Sequence, residues 1–515
     1  MVLIRQTIKF KRVCGYGAAI LGWFTNLKRT ENLCLMASVK KSLVFSFIQN
    51  YGVTALHFIS SVIIARLLTP EEVGVFSVGI ALVAIAHAVR DFGVSNYIVQ
   101  EKEFTESKKN ASVQIAFIVS WTLALLILAS SFLAGNFYND PRVSKVLSFL
   151  SINFFLLPFS SVGLAILRRR MQFDLLCYIH LVSGVAQVSF SIALAYLGYS
   201  YMSLVWGSIA GILTTVIFAI CFVPLSKASF VKSDQLGWVA RKGVSLSFAS
   251  ILYEFGNNYS EMVVGKTLGF AMVGYFGKAV GVLQLVDRVI LGAVRPVLLP
   301  SYSEKYRLDL LNDKVILNYL DMVLVVCWPL LLWLSFNAEH IIYILFGKQW
   351  LFAASLVPVL CLMAAFKYIG SVVGPVITAT GHINYLVKYQ SVIVLVKVIA
   401  VSLSALVSII AVCWSLVISE IVSVVILFWY VKRCMQFSVV QILYLLFKNM
   451  IIILFLGAGL FVVSLANWVM WEELLVTLLL IGILWCCCIF SINHPIRAEL
   501  VNILMNTRTK IKVKL

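Results

Sequence analysis

The sequence predicts an all-α integral membrane protein with about 14 transmembrane helices: two pseudo-symmetric six-helix lobes around a central cavity, plus two C-terminal helices. Three observations support this prediction. Apolar residues make up 61% of the 515 residues and charged residues only 12%, whereas soluble domains contain about 25% charged residues. Apolar segments of membrane-spanning length recur along the whole chain. Part of the first half is repeated 200 residues later.

The predicted transmembrane helices follow the apolar segments. These segments lie near residues 42–68, 72–99, 111–135, 144–167, 173–197, 202–224, 243–267, 270–299, 315–336, 351–380, 384–403, 406–431, 447–467 and 472–491. A helix needs about 20 apolar residues to cross the hydrocarbon core, and each segment provides roughly that number. The connections are short, so the sequence contains no soluble domain that would hold an active site.

The distribution of basic residues predicts the topology. The net charge of +19 would suit a nucleic-acid-binding protein, but the basic residues concentrate in alternate connections. These connections include Lys40 and Lys41, Lys108 and Lys109, Arg168 to Arg170, Lys232, Lys314, Lys432 and the C-terminal tail. Such asymmetry marks the cytoplasmic side, so both termini are expected in the cytoplasm and no nucleic-acid partner is expected. Membrane lipids are the expected partners of the excess charge.

The internal repeat is clearest around the end of the first predicted helix. The segment "IARLLTPEEVGVF" (64–76) returns as "VGKTLGFAMVGYF" (264–276), so that Arg66 corresponds to Lys266 and Gly74 to Gly274. Polar residues along one face of helix 1, at Asn50, Thr54, His57 and Ser61, correspond to Ser250, Glu254, Asn257 and Glu261. Units with an even number of spans insert in the same orientation, so the two lobes should be related by an axis along the membrane normal.

The repeat also divides the chain into regions. The first lobe is expected over residues 36–225 (helices 1–6) and the second over 226–435 (helices 7–12), followed by helices 13–14 over 436–492 and a basic cytoplasmic tail over 493–515. Residues 1–35 form a basic N-terminal extension outside this pattern. Translation is expected to begin at Met36, and the alternative is that the extension forms an amphipathic helix on the membrane surface.

Charged residues inside the predicted spans indicate a polar interior. Each charge at the centre of a bilayer costs about 2.5–3.5 kcal/mol on insertion scales, so such residues face a shared cavity, pair, or reach the interface from helix ends. The charges deep in their segments are Glu254, Glu261, Asp287, Arg288, Lys367 and Glu420. Arg66 and Lys266 lie closer to helix ends, where reaching the interface is an alternative.

No metal, cofactor or nucleotide site is expected. The eleven cysteines contain no CxxC pair, and His57, His87 and His180 belong to no recognised metal-ligand motif. The GxxxxGK[ST] motif is absent, so the chain is not expected to hydrolyse ATP. Energy would come from a proton or sodium gradient, from the substrate gradient, or from consumption of the product.

Three segments resemble the polysaccharide transporter, or Wzx-type oligosaccharide flippase, family of the multidrug/oligosaccharidyl-lipid/polysaccharide (MOP) flippase superfamily. They are "ARLLTPEEVGVFSV" (65–78), "DFGVSNYIVQ" (91–100) and "RPVLLPSYS" (295–303). The resemblance implies a protein of the bacterial inner membrane, without enzymatic activity, that moves a polyprenyl-pyrophosphate-linked oligosaccharide from the cytoplasmic to the periplasmic leaflet. It also implies alternating access between two six-helix lobes, with helices 13 and 14 packed outside them.

Under this resemblance the polar residues acquire expected roles. Cations stabilise an anionic pyrophosphate through charge-assisted hydrogen bonds, and carboxylates carry a coupling proton or sodium ion. The expected substrate-binding residues are Arg66, Lys266, Arg288, Asn50, His57, Asn257, Asn258 and Lys367, the asparagines and histidine serving the sugar. The expected ion-coupling residues are Asp91, Glu254, Glu261, Asp287 and Glu420.

Other functions remain open at this point. A peptidoglycan-precursor flippase and a multidrug or cation antiporter share the predicted architecture. A membrane glycan polymerase or ligase is a further alternative, for which Glu339 and His340 form the only plausible catalytic pair in an outer connection. A flippase would work with a polymerase and a chain-length regulator on O-antigen, capsule or exopolysaccharide.

Overall fold

The computed structural model describes residues 20–90, 97–99, 101, 103–223, 251–435, 439–465 and 470–491. Regular structure in these residues is entirely helical. The first half contains α1 Ile20–Leu67, α2 Pro70–Arg90, α3 Glu106–Tyr138, α4 Pro141–Leu156, α5 Pro158–Arg169, α6 Phe173–Tyr196 and α7 Met202–Phe222. In lipid, only a helix satisfies its backbone hydrogen bonds within one segment, which explains this uniformity.

The second half begins with α8, whose described part covers residues 251–267. It continues with α9 Phe270–Arg307, α10 Asp313–Phe336, α11 Ala338–Phe346, a 3-10 turn Lys348–Trp350, α12 Leu351–Ala379, α13 Ile383–Ser404, α14 Ile409–Cys434, α15 Val439–Ser464 and α16 Met470–Ser491.

The described helices account for most of the predicted spans. Eleven are long and apolar enough to cross a membrane, and the bent pair α4–α5 makes a twelfth if counted as one span. The predicted seventh and eighth spans correspond to α8 and α9. The first of these begins at the edge of the described residues, and the second carries charges at Lys278, Asp287, Arg288 and Arg295. The all-helical membrane architecture is confirmed, and a total of 14 spans stays a prediction.

Local sequence signals set the helix ends around the connection between α3 and α4. The side chain of Thr105 accepts a hydrogen bond from the backbone N–H of Lys108 and begins α3. Asn139, in the left-handed region at φ 55°, ends it. Asp140 then caps α4 by accepting a hydrogen bond from the backbone N–H of Arg142, with Pro141 in the first turn.

The fourth predicted span differs from the expectation of a single helix. Its two parts, α4 and α5, meet at Leu157 at an angle of 49°. Pro158 opens α5 and has no backbone N–H to continue the hydrogen-bonding pattern of α4.

Two glycines reveal the pseudo-symmetry of the lobes. A Cβ added to Gly74 in α2 would overlap the carbonyl oxygen of Phe270, and a Cβ added to Gly274 in α9 would overlap that of Pro70. Each contact is the image of the other after a shift of 200 residues, as expected where two like units meet across a two-fold axis. The pseudo-symmetric arrangement is therefore confirmed.

The offset between the repeats changes after α10. The pair α4–α5 begins and ends 210 residues before α12, because α11 and the 3-10 turn are inserted in the second lobe. The next turns match at the same offset: Met171 has φ 56° and Gly381 φ 80°. The second lobe therefore carries a short cap of α11 and the 3-10 turn that has no counterpart in the first.

The last two helices attach to α10. Asn449 in α15 donates a hydrogen bond from Nδ2 to Asp321 Oδ1 at 2.7 Å, and Trp485 in α16 donates from Nε1 to the carbonyl oxygen of Val325 at 2.6 Å. A small apolar cluster around Leu456 and Ile481 fills the space between these bonds. The helix pair is thus fixed to the second lobe.

The predicted region boundaries stay predictions. The boundary near 225 and the tail 493–515 lie outside the described residues. Helix α1 is continuous from Ile20, so it begins before the first predicted span. Residues 1–19 lie outside the described residues, and the expected start of translation at Met36 stays a prediction.

Candidate functional site

A polar cavity of about 430 Å³ lies between the two lobes. Its walls come from α1, α2, α6 and α7 of the first lobe and from α8, α9 and α11 of the second. Its polar lining consists of Thr54, His57, Ser60, Ser61, Ser77, Gln187, Ser191, Asn258, Glu261, Lys278, Gln284 and Arg288. Hydroxyl and amide groups, two cations and one carboxylate therefore face one space.

Four of the residues singled out from the sequence meet in this central cavity. They are His57 on α1, Asn258 and Glu261 on α8, and Arg288 on α9. Helical periodicity explains the grouping, because residues three or four positions apart share a face. Asn258 also donates from Nδ2 to Glu254 Oε2 at 3.2 Å, which turns Glu254 toward its own helix.

Lys278 is a cavity residue that the sequence-derived list of candidates lacks. Its side chain is 8% exposed. Its Nζ donates to the carbonyl oxygen of Ser61 at 3.1 Å and to Ser61 Oγ at 2.9 Å. It also lies 4.9 Å from the centre of the Phe346 ring and 5.3 Å from that of Trp350. The internal repeat gives no indication of Lys278, because the equivalent residue of the first lobe is Val78. The charge of Lys278 within a predicted span was the one available signal.

Ser61 and Glu261 occupy equivalent positions of the repeat, and both line the central cavity. Ser61 holds the lysine across the interface between the lobes, whereas Glu261 belongs to the same lobe as the lysine. The cavity therefore contains Ser61 of the first lobe, which accepts two hydrogen bonds from Lys278, and Glu261, a carboxylate of the lysine's own lobe.

Other predicted residues line a separate cavity of about 320 Å³ inside the second lobe. Asn257 and Lys367 lie there, together with Arg295 and a buried ion pair between Lys397 Nζ and Glu420 Oε1 at 2.7 Å. At its rim Asp287 pairs with Arg295 at 3.0 Å. The carboxylates of Glu420 and Asp287 are thus both engaged by cations in this structure.

Arg66 and Lys266 lie outside the central cavity and cross between the lobes at one end of the bundle. Arg66 Nη2 donates to the carbonyl oxygen of Ile344 at 2.8 Å. Lys266 Nζ donates to the carbonyl oxygen of Phe137 and lies 5.0 Å from the centre of its ring. The equivalent cations of the repeated segments 64–76 and 264–276 therefore each bind a backbone carbonyl oxygen of the opposite lobe.

Further contacts close the same end, which we call the closing end. Trp350 Nε1 donates to the carbonyl oxygen of Ala65 at 2.6 Å, and Gln349 Nε2 reaches the same oxygen at 2.6 Å. In the reverse direction Tyr138 donates from its hydroxyl to the carbonyl oxygen of Met262 at 3.0 Å. The central cavity is therefore shut at the end that carries the α1–α2 and α8–α9 connections.

An ionic cluster borders the closing end. Arg142 Nη2 lies 2.6 Å from Glu71 Oε1 and 2.7 Å from Asp140 Oδ2, and its guanidinium is 5.9 Å from the centre of the Phe270 ring. Burial alone would raise the pKa of the Asp140 carboxyl. The hydrogen bonds from the Arg142 side chain and backbone outweigh this effect and lower that pKa below its ordinary value.

The remaining predicted residues fall elsewhere. Asn50 is exposed on α1, and Asp91 lies outside the described residues. Among the residues that the structure describes, no group of three histidine, cysteine or acidic side chains is arranged to hold a metal ion.

Two helical repeats that enclose a polar cavity and meet at one of its ends define the architecture of a pseudo-symmetric membrane transporter. A family model described as "Polysaccharide biosynthesis protein" matches residues 63–355. The chain belongs to this family, whose members and structural neighbours are transporters and flippases rather than enzymes.

Curated relatives agree with this family. The chain is 21% identical to the lipopolysaccharide biosynthesis protein WzxC of Escherichia coli strain K12, over 67% of this chain and 71% of that protein. It is 22% identical to the teichuronic acid biosynthesis protein TuaB of Bacillus subtilis strain 168, over 84% of this chain and 91% of that protein.

Solved structures show the same fold. The lipid II flippase MurJ in an inward closed conformation superposes with a TM-score of 0.68 at 16% identity, over 87% of this chain and 98% of that chain. An inward-facing multidrug resistance transporter of the MATE family superposes with a TM-score of 0.59 at 15% identity, over 74% of this chain and 94% of that chain.

Proposed function

We propose that the protein is a flippase that moves lipid-linked oligosaccharide repeat units across the bacterial inner membrane for the synthesis of a surface polysaccharide. The observation that carries this proposal is the central cavity, where hydroxyl and amide groups surround two cations between two repeats. Hydroxyls and amides suit a sugar, and cations suit a pyrophosphate that would otherwise cross a medium of low dielectric constant. The similarity to WzxC and TuaB, named for lipopolysaccharide and teichuronic acid biosynthesis, supports a polysaccharide precursor as the cargo.

The proposed transport cycle alternates which end of the cavity is closed. With both termini in the cytoplasm, the closing end faces the periplasm, so this structure corresponds to a state with the exit shut. Arg288 and Lys278 would then hold the pyrophosphate, while His57 and Asn258 bind the sugar. The lipid tail stays in the bilayer.

Arg66 and Lys266 have a second place in this cycle. Here each binds a carbonyl oxygen of the opposite lobe. When the lobes separate, both cations lose these partners and become available to the departing pyrophosphate. Each charge-assisted hydrogen bond contributes about 1.5–3 kcal/mol. Single Arg66→Gln or Lys266→Gln replacement should therefore reduce transport partially, and the double variant severely. A double variant with unchanged transport would remove both cations from the cycle.

Glu261 is the proposed carrier of a coupling ion. Its carboxylate lies in the central cavity, whereas Glu420 and Asp287 are paired with Lys397 and Arg295. A gradient of protons or sodium ions should accelerate transport in the unmodified protein. The same gradient should have no effect on Glu261→Gln.

A reconstituted transport assay tests the function. Purified protein in vesicles receives a polyprenyl-pyrophosphate-linked oligosaccharide, and an impermeant glycosidase reports how much sugar has crossed. We expect fast transfer by the unmodified protein, a loss of at least about tenfold in Arg288→Gln, and normal transfer by Arg307→Gln at the exposed end of the same helix.

Two competing cargoes are measured in parallel in the same vesicles. Preference for a lipid-linked peptidoglycan precursor would replace the proposal with that flippase activity, and movement of organic cations alone would replace it with an antiporter. A polymerase and a chain-length regulator are the proposed partners on the product side.

A further inference from the structure

A third cavity, of about 490 Å³, lies inside the first lobe and shares no lining residue with the central cavity. We call it the N-lobe pocket. Helices α2, α3, α5, α6 and α7 surround it. Its polar lining consists of Arg90, Ser120, Ser160, Ser161, Arg168, His180 and Thr215, with no acidic side chain among the lining residues.

The N-lobe pocket lies at the end of the bundle opposite the closing end. Arg90 is the last residue of α2, and Arg168 is in the last turn of α5. His180 is in the second turn of α6, near the start of that helix. The neighbouring Arg169 donates to the carbonyl oxygen of Ile98 at 2.7 Å, which ties this end of α5 to the chain beyond α2. The pocket is therefore located where the helices reach the edge of the membrane.

One nitrogen in the pocket lacks a hydrogen-bond partner. His180 Nε2 is buried and makes no hydrogen bond, an arrangement that is costly in a folded protein. The nearby hydroxyl of Ser160 donates to a backbone carbonyl oxygen, and that of Thr215 is bonded to the carbonyl oxygen of Gly211 and to Ser183 Oγ, so both hydroxyl protons are engaged within the protein. With its proton on Nε2, His180 would donate to an oxygen acceptor of a ligand.

The shared architecture does not require this basic chemistry. At the equivalent positions of the second lobe, Arg90 is replaced by Ile290, and, with the offset of 210 that applies after α10, Arg168 by Thr378 and His180 by Gln390. The three groups are thus a property of the first lobe alone.

We propose that the N-lobe pocket binds a phosphate group at the cytoplasmic edge of the membrane. Two guanidinium groups match phosphate oxygens through paired N–H donors, and the imidazole adds a third donor. The apolar part of the lining, with Ile115, Val119 and Leu164, suits the glycerol and upper acyl region of a phospholipid. The phosphate can come from an anionic phospholipid or from free phosphate, and the site is separate from the proposed transport cavity.

Binding, not transport, tests this proposal, so its failure is distinguishable from failure of the proposed function. Detergent-purified full-length protein is delipidated and titrated with phosphatidylglycerol, with phosphatidylcholine, and with inorganic phosphate, and bound ligand is counted by native mass spectrometry. We expect saturable phosphatidylglycerol binding that weakens at least about tenfold in Arg168→Gln. Arg170→Gln, an exposed arginine of the same triplet outside the pocket, is the matched control and should bind normally.

Further measurements distinguish a phospholipid from free phosphate as the ligand and control for misfolding of the variants. Arg168→Lys keeps the charge and should retain part of the binding, which an unfolded variant would not. Binding of inorganic phosphate that is lost in Arg168→Gln would support the site with free phosphate as its ligand. Equal binding by Arg168→Gln, His180→Gln and Arg170→Gln would overturn the proposal, as would equal affinity for phosphatidylcholine.

Discussion

Lys278 joins the two lobes at the level of the central cavity. Its ammonium group has two acceptors on Ser61 and two aromatic rings of the second lobe beside it. A buried ammonium retains its charge at acceptable cost only with such partners. Separation of the lobes would remove the serine, whereas Glu261, which lines the same cavity, belongs to the same lobe as the lysine. The hydrogen bonding of Lys278 therefore depends on whether the lobes are together.

Replacing Lys278 should affect closure and transport together. Lys278→Met removes the bonds to Ser61, and a hydrogen bond to a charged group contributes about 1.5–3 kcal/mol. We expect transport to fall about tenfold or more, and thiol labelling of a cysteine at Ser77 from the closing end to increase. Ser61→Ala, which keeps the carbonyl acceptor, should have a smaller effect. Equal labelling in all these proteins would contradict the role of Lys278 in closure.

Asp140 predicts a specific pH dependence. Its pKa is lowered in the folded protein, so its contribution to stability is complete above the ordinary aspartate pKa of about 4 and is lost as the pH falls through the lowered value. Thermal unfolding in detergent should therefore show a loss of stability on acidification that is smaller in Asp140→Asn. Superimposable pH profiles for the two proteins would show that the Arg142 cluster does not contribute.

At the scale of elements, the crossing of α2 and α9 depends on two glycines. Each helix presents a bare backbone to the first residue of the other, Phe270 or Pro70, and neither crossing has space for a methyl group. Backbone atoms cannot yield as a flexible side chain can, so a Cβ must push the helices apart.

Alanine at these glycines should therefore disfavour the closed arrangement. We expect Gly74→Ala and Gly274→Ala each to reduce transport strongly and to increase solvent access at the closing end, measured by thiol labelling. Gly292→Ala on α9 is the control, because nothing lies within 4 Å of its added Cβ. If Gly74→Ala and Gly292→Ala behave alike, the close crossing does not limit the cycle.

The positions of the helices were largely predictable, but their breaks were not. Apolar length and capping residues such as Thr105 and Asp140 locate the ends of α3 and α4. Proline is ambiguous: α4 and α5 separate at Pro158, whereas α12 continues through Pro358 and Pro375. Neighbouring helices decide whether the freed carbonyl groups find other partners, and that packing is not encoded in one segment.

At the scale of the molecule, the candidate site was predictable in composition but less so in location. The polar faces of α1 and α8 predicted a shared cavity, and His57 and Glu261 line the central cavity of the structure. Yet the adjacent residues Asn257 and Asn258 line different cavities, because successive residues on a helix point about 100° apart. Only the packing of α8 against both lobes decides which residue faces which space.

A cross-link between the lobes should trap this arrangement. Cysteines at Arg66 and Ile344, joined by a short bifunctional thiol reagent, would hold the closing end shut and stop transport. A cross-link between cysteines at Ser131 and Ser148, whose hydroxyl oxygens lie 3.0 Å apart within the first lobe, is the control and should leave transport intact. Transport through the Arg66–Ile344 cross-link would show that the lobes need not separate there.

The short cap of α11 and the 3-10 turn belongs to the second lobe only. Phe346 forms part of the cavity wall, while Gln349 and Trp350 rest on the carbonyl oxygen of Ala65. The two sides of the closing end are therefore not equivalent, because only one of them carries a cap. The cap is covalently continuous with α10 and α12 of its own lobe, and it contacts the end of α1 only through non-covalent bonds. Opening of the closing end would therefore separate this cap from Ala65 and Arg66 at the end of α1.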